Sequence, residues 1–334
     1  MLQSASISII VPVYNRPEEV ADLLESLAAQ SDSDFETVIV EDGSSVPCAD
    51  IVAAYADRIC VQYHFRENEG RSPARNYGMI RANGDFFVFV DSDTILPSDY
   101  IAALKRNLAA NPVDCFGGPD AAHASFSTLQ KAINYSMTSF LTTGGIRGGK
   151  MSMEKFVPRT FNMGFSRRVF ETVGGFREMF SEDIDMSTRI RNAGFSITLY
   201  RDVKVFHKRR VDLKKFFRQV YVFGMSRVTL KLLYPGSMKL VHTLPALFTI
   251  FSALMVVGGI FWHWLWLPLG IYILLLWIGG LLSMRSIKLA SLAVVTSMIQ
   301  LIGYGCGFIK AYIRAIVLRR GRNEAEEVEM RRGK

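Results

Sequence analysis

Acid is almost missing from the second part of this 334-residue chain. Residues 204–334 hold 5 Asp+Glu against 20 Lys+Arg, whereas residues 1–203 hold 26 against 19. The overall net charge of +8 therefore conceals an acidic first part and a strongly basic second part. Formal charge of either sign is absent across the 45 residues between Lys239 and Arg285. Two membrane spans of ~20 residues each fit in that length, and a buried soluble hairpin rarely goes so long uncharged. His263 and Trp264 sit at the natural turn, where an aromatic belt is expected. Because the basic residues flank apolar runs, they point to a membrane-lipid partner and to no nucleic acid.

Cysteine is also scarce. Cys48, Cys60, Cys115 and Cys306 lack CxxC spacing, which argues against a zinc or redox site and leaves free thiols in a reducing compartment. There is no internal repeat and no low-complexity tract. The amino-terminal residues carry no basic stretch ahead of an apolar core, so Ile7 to Val13 reads as a strand and not a signal peptide.

What is present is an alternation of strand and helix. Ile7 to Val11 is continuously apolar, as in a strand buried on both faces. Pro17 suits a helix start, and Val20, Leu23, Leu24 and Leu27 share one face. Strands follow at Phe35 to Val40, Ile59 to Phe65 and Phe86 to Val90, with a helix over Ser72 to Ala82. Crossovers of this kind predict an α/β fold with a mostly parallel sheet flanked by helices, whose ligands lie beyond the strands' carboxyl ends. Asp42 and the Asp91-Ser92-Asp93 turn occupy such ends. The glycines at 144, 145, 148 and 149 suggest a mobile loop. Glu182 to Asn192 reads as a helix, with acids in its first turn and Gly194 just beyond it.

After Val211, Leu213, Phe216, Phe217, Val220 and Tyr221 recur at helical spacing beside Lys214, Lys215 and Arg218. A basic amphipathic helix in the membrane interface fits, with packing on the catalytic domain as the alternative. The expected organisation is a catalytic domain at 1–210, this helix and linker at 211–238, a membrane domain at 239–318 and a charged tail at 319–334. Spans are placed at about 240–262, 264–284 and 289–309. Every flank except the His263 turn is basic, so the positive-inside rule would keep them all in the cytoplasm. A bend at Gly303, Gly305 and Gly307 would reconcile this, with Ala311 to Leu318 returning to the interface; a plain third crossing is the other option.

Two carboxylates at a turn after a buried strand, Asp91 and Asp93, suit Mg²⁺ or Mn²⁺ shared with a diphosphate. Glu182 and Asp183 open a helix, where acids also simply favour the helix dipole.

Several short blocks then combine in a fixed order: Ile7 to Asn15, Val38 to Ser44, Asn68 to Asn76, Phe89 to Asp93, Asn162, Gly174 to Phe176, and Ser181 to Gly194. Together they make the chain resemble the family 2 glycosyltransferases, inverting enzymes of the nucleotide-diphospho-sugar transferase (GT-A) fold. The resemblance covers roughly residues 6–210, and a membrane-bound tail is common among relatives. It implies that Pro12, Tyr14, Glu41 and Asp42 contact the nucleoside, although Glu41 departs from the commoner Asp. It further implies that Arg75 and Glu182 support the nucleotide site and that Asp91 holds the donor ribose or sugar. Asp93 would bind Mn²⁺ or Mg²⁺, with His207 as a further metal or diphosphate ligand, and Asp183 would be the catalytic base.

The expected activity is inverting transfer of one sugar from a nucleotide-diphosphate sugar to a hydroxyl acceptor. The acceptor is expected to be a lipid-linked glycan, met at the cytoplasmic face of the inner membrane. A polyprenyl phosphate acceptor, already anionic, needs no base and is the alternative within enzymes. A non-catalytic sugar-nucleotide scaffold is the alternative outside them. Arg218 and Gln219 to Val222 stand where processive synthases carry Gln-x-x-Arg-Trp; that Arg-Trp is missing, which favours single transfer over chain extrusion.

Overall fold

The computed structural model describes residues 6–121, 127–143, 156–207 and 212–317. The glycine-rich loop at 144–149, the basic run at 208–210 and the tail at 319–334 lie outside them. The chain divides into two compact units, one of residues 1–123 and 156–208, the other of residues 124–155 and 209–334.

The first unit begins β1 (Ile7–Val13), α1 (Pro17–Ala28), β2 (Glu36–Asp42), α2 (Ala49–Ala53), β3 (Cys60–Arg66), α3 (Arg71–Arg81), β4 (Phe86–Phe89). It continues with β5 (Thr94–Ile95), α4 (Tyr100–Ala110), β6 (Cys115–Gly117) and β7 (Asp120–Ala121). In the second unit lie α5 (Thr128–Thr138) and α6 (Phe140–Thr143). The first unit resumes with β8 (Met163–Ser166), α7 (Arg167–Val173), α8 (Glu182–Asn192), β9 (Ile197–Leu199) and β10 (Val205–His207). A seven-stranded sheet has the order β3-β2-β1-β4-β8-β6-β9, and a three-stranded sheet the order β5-β10-β7. The large sheet is mostly parallel; β8 alone runs antiparallel, between β4 and β6.

The apolar run of β1 is explained by burial on both faces. Ile7, Ile9, Val11 and Val13 pack with Val20, Leu23, Leu24 and Leu27 of α1, whereas Ile10 joins Val38, Val40, Ala74 and Met79 on the other side. Helices on both faces leave the ligand crevice at the carboxyl ends of β1, β2 and β4.

The second unit adds α9 (Leu213–Leu233), α10 (Leu240–Gly258), a 3-10 turn at His263–Trp266, α11 (Leu267–Met284) and α12 (Ile287–Tyr312). Three helical stretches, Leu240–Gly258, His263–Met284 and Ile287–Ala315, are long and apolar enough to cross a membrane. Leu244, Phe251 and Leu254 of α10 and Ile271, Leu274 and Leu282 of α11 are exposed, as suits hydrocarbon solvent.

Three features bear on the expected organisation. Residues 124–155 group with the C-terminal helices and not with the rest of 1–210. The physical tie is local: Thr296 of α12 donates to the Ala132 carbonyl at 3.0 Å, and the Tyr272 hydroxyl donates to the Leu141 carbonyl at 2.7 Å. Second, Phe216 and Val220, expected to enter the lipid interface, are buried with Ile133 and Met137 of α5. Third, α12 runs as one uninterrupted helix through its glycines. A Cβ on Gly307 would stand 1.9 Å from the Tyr221 carbonyl oxygen, and one on Gly303 would stand 2.6 Å from Val220 Cγ2. The glycines are small because α9 approaches closely, a packing role and not a breaking one.

Candidate active site

Alternation along β2 sends its two terminal acids to opposite faces of the sheet. Asp42 faces α3: Oδ1 accepts from the Glu69 N–H at 3.1 Å and Oδ2 from the Gly70 N–H at 2.8 Å. Burial pushes the Asp42 carboxyl up, opposed by the Gly70 N–H and then by the Arg66 guanidinium. Gly43 makes the approach possible; with φ +70° it lies so close that a Cβ would come within 2.6 Å of the Asn68 nitrogen. Glu41 is fully buried on the other face, its Oε2 accepting from the Cys48 N–H at 2.7 Å and the Tyr63 hydroxyl at 2.9 Å. Burial, and then Glu41, push the Cys48 thiol and the Tyr63 phenol well above their ordinary values. Glu41 thus holds the loop after β2 from beneath.

Pro12 is paired in register with Val40, and Tyr14 follows β1 with half of its surface exposed. Asn15, at φ +52°, staples the two loops together: its Oδ1 accepts from the Ser45 N–H at 2.8 Å, and its own N–H donates to Ser44 Oγ at 2.7 Å.

Past β4, Asp91 Oδ1 accepts from Arg75 Nη2 at 2.8 Å, and Arg16 Nη1 lies 3.7 Å from Asp93 Oδ2. The backbone of β10 pairs His207 with Thr94, the residue next to Asp93. The His207 side chain lies outside the described residues.

Arg75 is the buried centre. Besides Asp91, its Nη1 donates to Glu182 Oε1 at 3.1 Å, and its guanidinium lies 5.7 Å from the centre of the Phe176 ring. Arg71, one turn earlier on α3, donates to Glu182 Oε2 at 2.8 Å. Burial raises the Glu182 carboxyl, and Arg75 and then Arg71 oppose that. Asp183, next on α8, is paired differently: Oδ2 accepts from Arg159 Nη1 at 3.1 Å, and Oδ1 from the Ile184 N–H at 2.8 Å. Ser181 caps the helix in the left-handed region at φ +64°, a strained start that an ordinary cap does not need.

Arg75 of α3 therefore joins Asp91 and Glu182, whereas Asp42 is held by the residues that lead into α3 and Glu41 by Cys48 and Tyr63. Two arginines are additions to the expected set. Arg71 was findable, since it lies four residues before Arg75 on one helical face. Arg159, in an irregular strap before β8, carries no periodic signal.

A match to the family model described as Glycosyl transferase family 2 covers residues 8–174, half of the chain. The chain belongs to glycosyl transferase family 2. Relatives of this family member include validoxylamine A glucosyltransferase of Streptomyces hygroscopicus subsp. jinggangensis, 27% identical over 59% of this chain and 54% of that protein. An uncharacterized glycosyltransferase of Rickettsia bellii is 33% identical over 28% of this chain and 14% of its own length. The chain thus spans about half or less of these curated relatives. Among solved structures, it is similar in fold to a mannosyltransferase of Pyrobaculum calidifontis in complex with GDP-Man and Mn²⁺. That likeness has TM-score 0.59 and 17% identity, covering 93% of this chain and 88% of the other.

Proposed function

We propose that this family 2 chain transfers a single sugar, with inversion, from a nucleotide-diphosphate sugar to a hydroxyl on a lipid-linked or membrane-proximal glycan. The observation that carries the reading is the shared guanidinium: Asp91 and Glu182 both bond Arg75, so the acidic turn after β4 and the start of α8 flank one crevice. Asp42, Pro12 and Tyr14 would meet the nucleoside, and Asp91 the donor ribose or sugar. Glu182, enclosed by Arg71 and Arg75, acts by positioning. Asp183 would take the acceptor proton as its oxygen attacks the anomeric carbon.

A divalent cation fits the donor set. Among the described residues no group of three or more His, Cys, Asp or Glu could hold a metal by itself. Mg²⁺ or Mn²⁺ is commonly held by one or two carboxylates plus substrate phosphates, however, and Asp93 supplies one. His207 is the proposed further ligand, on the strength of its register beside Thr94. The bound ion would neutralise charge on the departing diphosphate. The Pyrobaculum mannosyltransferase, solved with GDP-Man and Mn²⁺, supports the same choice.

The three apolar stretches favour a multi-pass protein of the inner membrane, with the nucleotide-binding unit in the cytoplasm, where sugar nucleotides are made. Binding of UDP and GDP to the detergent-solubilised full chain, with and without Mn²⁺, tests the proposal. Metal-strengthened binding of one nucleotide, lost in Asp93→Ala, is expected; no binding of either overturns it. Glycosylation of a polyprenyl phosphate that survives Asp183→Asn would shift the acceptor to the anionic class.

A further inference from the structure

The two acids that open α8 have separate cationic partners on separate elements. Glu182 is enclosed by Arg71 and Arg75 of α3, and Asp183 is met by Arg159 from the strap at 156–162. That strap is rigidly mounted. Arg159 and Asn162 form a bridge, the Asn162 N–H donating to the Arg159 carbonyl at 2.9 Å. Asn162 is in turn fully buried; its Oδ1 accepts from the Tyr100 hydroxyl at 2.7 Å and its Nδ2 donates to the Val203 carbonyl at 2.8 Å. Gly117 and Gly118 clear the path beneath: a Cβ on Gly117 would stand 2.8 Å from Pro158, and one on Gly118 would stand 2.2 Å from Asn162 Nδ2. So much local structure serves to fix a segment whose outward product is one guanidinium on one carboxylate.

We infer that Arg159 is the positioning residue of the base, keeping a cation against Asp183 and fixing the direction of its carboxyl; this rests on the reading of Asp183 as the base. Among the described residues Asp183 has no second cationic partner: Arg71 and Arg75 engage Glu182, and Arg177 and Arg189 engage Asp185.

The test uses full chain in the membranes of the producing cells, which supply acceptor. Nucleoside diphosphate release from the sugar nucleotide consumed by wild type is followed from pH 5 to 9. Loss of the cation in Arg159→Gln should cut turnover roughly tenfold on the acid limb, a loss that narrows as pH rises, because a neighbouring cation favours the charged form of a carboxyl. Arg159→Lys, which keeps the charge, should leave the limb in place. A uniform loss at every pH in Arg159→Gln, with the limb unmoved, overturns the inference and leaves Arg159 a structural strut. Asp183→Asn is run alongside: if it retains turnover, the base reading fails; if it is inactive while the Arg159→Gln limb is unmoved, only this inference fails. Should Arg159→Gln not fold, a limb displaced in Arg159→Lys likewise counts against it.

Discussion

The guanidinium of Arg75, 1% exposed, donates to Asp91 at 2.8 Å from the side of the sheet that also carries Asp42. Its second nitrogen reaches Glu182, so the turn after β4 and the first residue of α8 are set by one side chain. Removing it should disturb both. Arg75→Met leaves the buried Glu182 with Arg71 alone, a cost of about 3 kcal/mol by analogy with other broken buried pairs. A lowered apparent melting midpoint and weakened nucleotide binding are expected. Part of the stability should return in Arg75→Met/Glu182→Gln, which removes the stranded charge.

Glu41 and Asp42 are adjacent in sequence and should separate in assay. Glu41→Gln weakens the bonds to Cys48 and Tyr63, so it should lower stability by about 1–2 kcal/mol with little change in nucleotide affinity per folded molecule. Asp42→Asn should weaken UDP or GDP binding at least about tenfold, close to the loss of one charge-assisted hydrogen bond. Calorimetric titration of both variants distinguishes them, and equal affinity losses would count against the assignment.

Close packing of α9 on α12 gives a third expectation. Gly307→Ala places a methyl against the Tyr221 carbonyl and should destabilise the helical unit by about 1–3 kcal/mol. Gly270→Ala, where nothing lies within 4 Å, is the control and should be near neutral. Thermal aggregation midpoints in detergent would compare them.

At the far end of the sheet, Glu36 sets an acid limit for the nucleotide-binding unit. Burial works to raise its carboxyl, but bonds from Ser8, from Asn83 and from the Gly84 N–H outweigh that and hold it below the ordinary value of 4.5. A depressed folded value means stability that is present above pH 4.5 and lost as pH falls through the folded value. Glu36→Gln should therefore be less stable than wild type near neutrality and should lose less on acidification. Denaturant midpoints from pH 7 to 3 check this; parallel curves would contradict it.

Much of this was legible in the chain itself. The apolar runs marked β1, β2 and β4, and Glu182 to Asn192 was read as a helix with the bounds that α8 has. The carboxyl-end placement of Asp42 and Asp91 followed from the parallel alternation. Which of Glu41 and Asp42 turns toward the α3 side was not readable, because period-2 alternation says only that neighbours part. The glycines of α12 were ambiguous for a similar reason: glycine both weakens a helix and lets another approach, and only the partner decides. That residues 124–155 join the C-terminal helices depends on contacts such as Thr296 to Ala132, 164 residues apart, which no local pattern encodes.

On the proposed function, Asp93 and Asp183 divide metal binding and proton removal in one sugar transfer. Nucleoside diphosphate release from a panel of sugar nucleotides, by full chain in producing-cell membranes with added Mn²⁺ or Mg²⁺ or with chelator, tests it most directly. Metal-dependent release from one donor, abolished in both Asp93→Ala and Asp183→Asn, is the expected result. Release that persists in either variant, or that ignores the chelator, would contradict it.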